Sequence, residues 1–144
     1  MTPRYRAWIS EADTMTNDLK GIDFENETVV LKKIYWEDGF PVEEEVFEVE
    51  IGNAILMQST GLVDKNGKEI FEGDIVRTTR FLGRADEIGG FYEYEKDYLG
   101  VVKVLEGSWV IDTGSDAVNL WSEIDENEVL GNIYENPELL EDKE

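Results

Sequence analysis

Apolar and polar positions alternate in short stretches along much of the chain, which is the period of a half-buried strand. Val46-Phe47-Glu48-Val49-Glu50-Ile51 shows it most clearly, and such a strand turns its acids to water. Tyr5-Arg6-Ala7-Trp8-Ile9 follows the same rule, and residues 28–36 are rich in β-branched and aromatic side chains. Residues 15–24 supply a further strand or an irregular excursion. Strands are also expected over residues 74–79, 99–105, 108–112 and 129–134, punctuated by Gly100, Gly107, Gly114 and Gly131.

Turn chemistry joins these segments. Asn66-Gly67, between Leu62-Val63 and Ile70-Phe71, predicts a tight hairpin of type I′, because that turn needs positive φ at both central residues. Glu106-Gly107 predicts a second hairpin between the valines of residues 101–104 and Trp109-Val110-Ile111. Helical pattern is scarce. Asn136-Pro137-Glu138 has a capping residue, a proline suited to the first helical position and an early acid, so a short C-terminal helix is expected there. Residues 80–99 break the strand rhythm around Gly89-Gly90 and are expected as a loop excursion, a common place for binding.

These elements predict one all-β domain over residues 1–144. It has an N-terminal β region over residues 1–51, an SH3-like small β-barrel over residues 52–144 and a closing helix. A 16.5 kDa chain with four Trp, six Tyr and six Phe has enough apolar area for a core of that size.

Charge and residue usage narrow the chemistry. The chain has 13 basic and 34 acidic residues, a net charge of −21, and neither His nor Cys. Without Cys there is no disulfide framework, thiolate nucleophile or zinc ribbon, and without His no imidazole base. No apolar run nears the roughly 20 residues needed to span a bilayer, and the opening residues carry two Arg with no apolar run behind them, unlike a signal or transit peptide, so a cytoplasmic protein without a membrane partner is expected. Net negative charge repels phosphate backbones, so direct nucleic-acid binding is not expected. Residues 59–84 are the exception to the acidity, with five bases against four acids, and Arg77, Arg80, Arg84, Lys65 and Lys68 are expected to pair with neighbouring carboxylates.

No motif assigns a catalytic, cofactor-binding or metal-binding residue. Asp64-Lys65-Asn66-Gly67 places its Gly fourth rather than sixth, so it is a hairpin and not an EF-hand loop. Asp74, just after Gly73, is expected to hydrogen-bond its own turn. Candidate contact residues are of two kinds. Phe91, Tyr92, Tyr94 and Tyr98 combine aromatic area with neighbouring glycines, a composition suited to partner contact. The acids Glu43, Glu44, Glu45, Glu123, Asp125, Glu126 and Glu128 form the second set, since spaced carboxylates can engage a basic protein or imitate a phosphate backbone.

Two stretches resemble the YopX-like family of phage and prophage proteins. The first is residues 56–76, with Gly61-Leu62-Val63-Asp64, Asn66-Gly67 and Glu72-Gly73-Asp74-Ile75-Val76. The second is residues 128–140, with Leu130-Gly131-Asn132-Ile133-Tyr134 and Asn136-Pro137. Arg4-Tyr5-Arg6-Ala7-Trp8 is similar too, while Ser59 and residues 80–99 depart from the family pattern. The resemblance implies a mostly β scaffold of phage or prophage origin and brings no catalytic residue or cofactor. The expected function is that of a non-enzymatic accessory protein binding a host or viral protein through its acidic surface or its tyrosines. The alternatives are a DNA mimic that inhibits a host nucleic-acid-binding protein, a homo-oligomeric structural component, and a hydrolase.

Overall fold

In a computed structural model the residues described are 4–17, 19–85, 88–120 and 126–141. The described chain is mostly β, and its packing divides into two compact units, Met1–Gln58 and Ser59–Glu144.

In the first unit β1 (Tyr5–Ile9) pairs antiparallel with β2 (Thr14–Thr16) and with the opening half of β6 (Ala54–Val63). A separate three-stranded sheet contains β3 (Leu19–Asp23), β4 (Thr28–Glu37) and β5 (Phe40–Glu50) in the order β3-β4-β5. Ala7 and Ile9 on β1, Val29 and Leu31 on β4 and Ala54 on β6 form the core, with Leu19, Val49, Ile51 and Leu56 packed against them. The two-residue spacing on β1 and β4 is the strand period: every second side chain faces inward. Residues 15–24, expected as a strand or an excursion, contribute the end of β2 and all of β3. Asp23 closes the β3–β4 turn, its Oδ1 accepting the Glu25 and Asn26 N–H groups at 3.0 Å each.

The second unit holds β7 (Glu69–Phe71), β8 (Asp74–Ala85), β9 (Phe91–Leu105), β10 (Ser108–Asp112), β11 (Ala117–Asn119) and β12 (Glu126–Asn132). Five of them form an antiparallel sheet ordered β11-β10-β9-β8-β12, curled as a half-barrel, while β7 pairs with the second half of β6. Ile70, Val76, Val102, Ile111 and Leu120 are its fully buried core. At Gly100 a Cβ would fall against the Asp112 carbonyl, well inside van der Waals contact, so only glycine lets these backbones approach.

Four details differ from the sequence reading. Residues 80–85 and 91–99, expected within a loop excursion, are ladder, with Arg80 opposite Lys96 and Ala85 opposite Phe91. Residues 92–95 alternate aromatic and charged as a strand does, but Lys96 interrupts the aromatic side and Gly89-Gly90 stands just before this stretch, so the strand period is broken in the sequence. The Asn66-Gly67 turn has only Gly67 at positive φ, +83°, so it is a type I turn followed by a left-handed glycine instead of type I′. Asp64 sets it, its Oδ1 accepting the Asn66 and Lys68 N–H groups at 2.9 Å each. The C-terminal helix is a single 3-10 turn, Pro137–Leu140, and Asn136 does not cap it. Instead Asn136 Oδ1 accepts the Asn132 N–H at 3.2 Å, holding the turn after β12. Finally Asp38-Gly39, with φ of 51° and 82°, makes the type I′ turn joining β4 to β5.

Candidate interaction surface

Past Leu31 and Val49 the β4–β5 ribbon leaves its core, and every residue from 33 to 48 is exposed. The ladder sets Glu43 opposite Tyr35, Glu44 opposite Ile34 and Glu45 opposite Lys33, so the three glutamates sit in paired β structure rather than in a loop. Lys32 Nζ lies 3.6 Å from Glu44 Oε2. The Tyr35 hydroxyl donates to Glu45 Oε2 at 2.8 Å, and that bond, with desolvation and the charges of Glu45 and Glu43, pushes the phenol above its ordinary value. Beyond the acids the ribbon ends in large apolar groups, Trp36 at 63% and Phe40 at 71% exposure. Asp-Gly between two apolar runs was the sequence signal for this ribbon, and the sequence reading missed it.

The predicted tyrosines lie on the β8–β9 ribbon. Strand alternation puts Tyr92, Tyr94 and Tyr98 on one side of β9 and Glu93, Glu95 and Asp97 on the other. The Tyr92 and Tyr94 rings are 6.0 Å apart and tilted by 41°. Arg80 and Lys96 both approach the Tyr98 ring, at 5.8 and 5.1 Å from its centre, and Arg80 also donates to the Asn119 carbonyl. Phe91 is set apart from these tyrosines, its ring lying over the bare backbone of Gly83 on the neighbouring strand.

The remaining acids are differently placed. Glu126 and Glu128 stand on β12 opposite Thr79 and Arg77. Glu128 is taken up by two bases, its Oε1 2.5 Å from Arg77 Nη2 and its Oε2 3.9 Å from Lys65 Nζ. Glu123 and Asp125 lie outside the described residues, as does Trp121. The acids therefore divide between the two units, and within the second unit the best defined of them is neutralised. The expected pairing of the basic segment is seen at Arg77 and Lys65.

Aspartates singled out by sequence hold backbone. Asp74, buried, accepts the Phe71 N–H at 2.8 Å. Asp64, also buried, accepts from Asn66, Lys68 and, through Oδ2, Val129 at 2.9 Å. Burial alone would raise its carboxyl, but the N–H groups of Val129, Lys68 and Asn66 and the Lys68 charge outweigh it and hold the group below the ordinary aspartate value. Among the described residues no group of three or more acids is placed to hold a metal ion. A groove of about 450 Å³ runs along β3, lined by Arg4, Tyr5, Leu19, Lys20, Ile22 and Phe24, and a register shift between Leu19 and Gly21 leaves Lys20 as the extra residue of a bulge.

Fold and surface together define a mostly β protein of two small units whose exposed features are strand ribbons. The chain belongs to the YopX family, whose model, described as YopX protein, matches residues 4–141. That match takes in the β8–β9 ribbon as well as the stretches whose residues resemble the family. The crystal structure of protein EF1440 from Enterococcus faecalis is similar at 25% sequence identity and a TM-score of 0.56, over 97% of this chain and 99% of that one. No curated protein matches the chain. Among the described residues no helix is long and apolar enough to cross a membrane.

Proposed function

We propose that the protein is a non-enzymatic binding module of phage or prophage origin that engages a host or viral protein in the cytoplasm through the β4–β5 ribbon. One observation carries this reading: residues 33–48 are all exposed, and within them Glu43, Glu44 and Glu45 adjoin Trp36, Phe40 and Val42. Apolar area rimmed by charge is the usual composition of a contact surface. The tyrosine side of β9 is a second contact candidate, and the curled sheet of the second unit is taken as an SH3-like small barrel that serves as scaffold. The non-enzymatic reading rests on the missing His and Cys and on buried aspartates already committed to backbone.

The test is affinity capture from host lysate in moderate and high salt, comparing the parent with an E43K/E44K/E45K variant. A protein captured by the parent and lost with the variant is the expected result. Equal capture by both overturns the role of the acids. A basic DNA-handling protein captured only in moderate salt would favour the DNA-mimic version of the same surface.

A further inference from the structure

We propose that β5 is a docking edge that takes up an extended, Lys/Arg-rich segment of the partner protein as an added strand. This rests on the reading of the β4–β5 ribbon as the contact surface and names how the partner binds there.

Among the described residues β5 closes one side of its sheet and pairs only with β4. The other side therefore presents a row of backbone N–H and C=O groups to water, a template for strand addition. At 11 residues the strand is long, and all of it from Phe40 to Glu48 is exposed. Near the turn Pro41 and a register shift opposite Tyr35 and Trp36 spoil the template, as edge strands commonly do. From Glu43 to Glu50 the edge has neither proline nor bulge, and each residue has a single partner on β4.

The side chains of that clean stretch state what it accepts. Five of its eight residues are glutamate. Glu44 is shared with Lys32 and Glu45 with the Tyr35 hydroxyl, whereas Glu43, Glu48 and Glu50 make no ion pair with any described residue. A second copy of β5 laid antiparallel would set glutamates against glutamates, which disfavours pairing. The charges that refuse the strand's own copy select a strand carrying cations. Val46 and Phe47, 46% and 40% exposed and on opposite faces by strand alternation, add an apolar contact on each side for residues interleaved with those cations.

The probe is an eight-residue peptide alternating Lys and Val, added at millimolar concentration to the full chain, with amide hydrogen exchange followed by NMR. Strand addition slows exchange at alternate amides between Glu43 and Glu50 by tenfold or more. The E43K/E44K/E45K variant weakens peptide affinity at least tenfold, and a Glu/Val peptide does not bind. The deciding control is the same Lys/Val peptide N-methylated at every residue, which keeps the charge but cannot join the ladder. If it binds as well as the parent peptide, or if binding leaves β5 exchange unchanged, edge docking is overturned while the acidic contact surface survives. No binding of the Lys/Val peptide also overturns edge docking and leaves the contact surface to the lysate capture. Protection at these amides that rises with protein concentration, without peptide, would assign the edge to a second copy and overturn the proposal.

Discussion

Asp64 Oδ2 accepts the Val129 N–H at 2.9 Å across 65 residues of chain. The bond joins the turn after β6 to β12, and a backbone bond from Lys65 N–H to the Asn127 carbonyl at 2.9 Å lies beside it. With Asn66 and Lys68 also donating, one buried carboxylate shapes a local turn and fastens a distant strand.

Asp64→Ala leaves three backbone N–H groups without their acceptor, each in partly buried surroundings. A loss of about 1–3 kcal/mol in unfolding free energy is expected, read from urea denaturation with an unchanged slope. A shift within experimental error would show that water replaces the carboxylate.

The same group makes stability depend on pH. Its carboxyl lies below the ordinary value in the folded protein, so the contribution is complete above about pH 4, the unfolded aspartate range, and fades as pH falls through the folded value. The stability gap between the parent and Asp64→Asn should therefore narrow between pH 5 and pH 2, both values being about one to two units either side of that range. A gap constant across that window would place the effect in packing instead of charge.

Gly100→Ala should cost about 1–3 kcal/mol, because the new methyl meets backbone that cannot rotate away. Thermal unfolding provides the measurement, and Gly52→Ala, where nothing lies within 4 Å of the added Cβ, is the matched control. Equal melting temperatures for the two variants would show that the neighbouring backbone gives way to the methyl.

Tyr92 and Tyr94 are 47% and 39% exposed, so replacing both by Ala should change stability by less than about 1 kcal/mol. Ile111→Ala, in the fully buried core, should cost about 2–5 kcal/mol. A large loss from the tyrosine pair would mean that it supports the ribbon, and its place among contact residues would fall.

Much of the scaffold was legible because it obeys local rules. The strand expected over Val46 to Ile51 appears as the end of β5, though Val46 and Phe47 are exposed and Ile51 lies just past it in a 3-10 turn, and the β-branched run around Val29 and Leu31 appears in β4. Glu106 and Gly107, at φ of 51° and 81°, make the expected β9–β10 turn. The inner ends of β8 and β9 were legible, but their outer part was hidden: Tyr92 and Tyr94 alternate with acids, and Lys96 and the Gly89-Gly90 pair break that pattern. Asn66-Gly67 marks the turn, but the Asp64 carboxylate, not the dipeptide's own preference, decides which residue turns left-handed.

Residue order by itself determined that the chain is mostly β, where its turns fall and which catalytic classes it lacks, because strand period, glycine conformation and side-chain chemistry act over a few neighbouring residues. Only tertiary structure decided that the glutamates of β5 lie on an open sheet edge, that Glu128 is neutralised by Arg77 and Lys65, and that Asp64 reaches Val129. Strand order and ion pairing join residues tens of positions apart, and no local preference records which distant partner a strand or a carboxylate will meet.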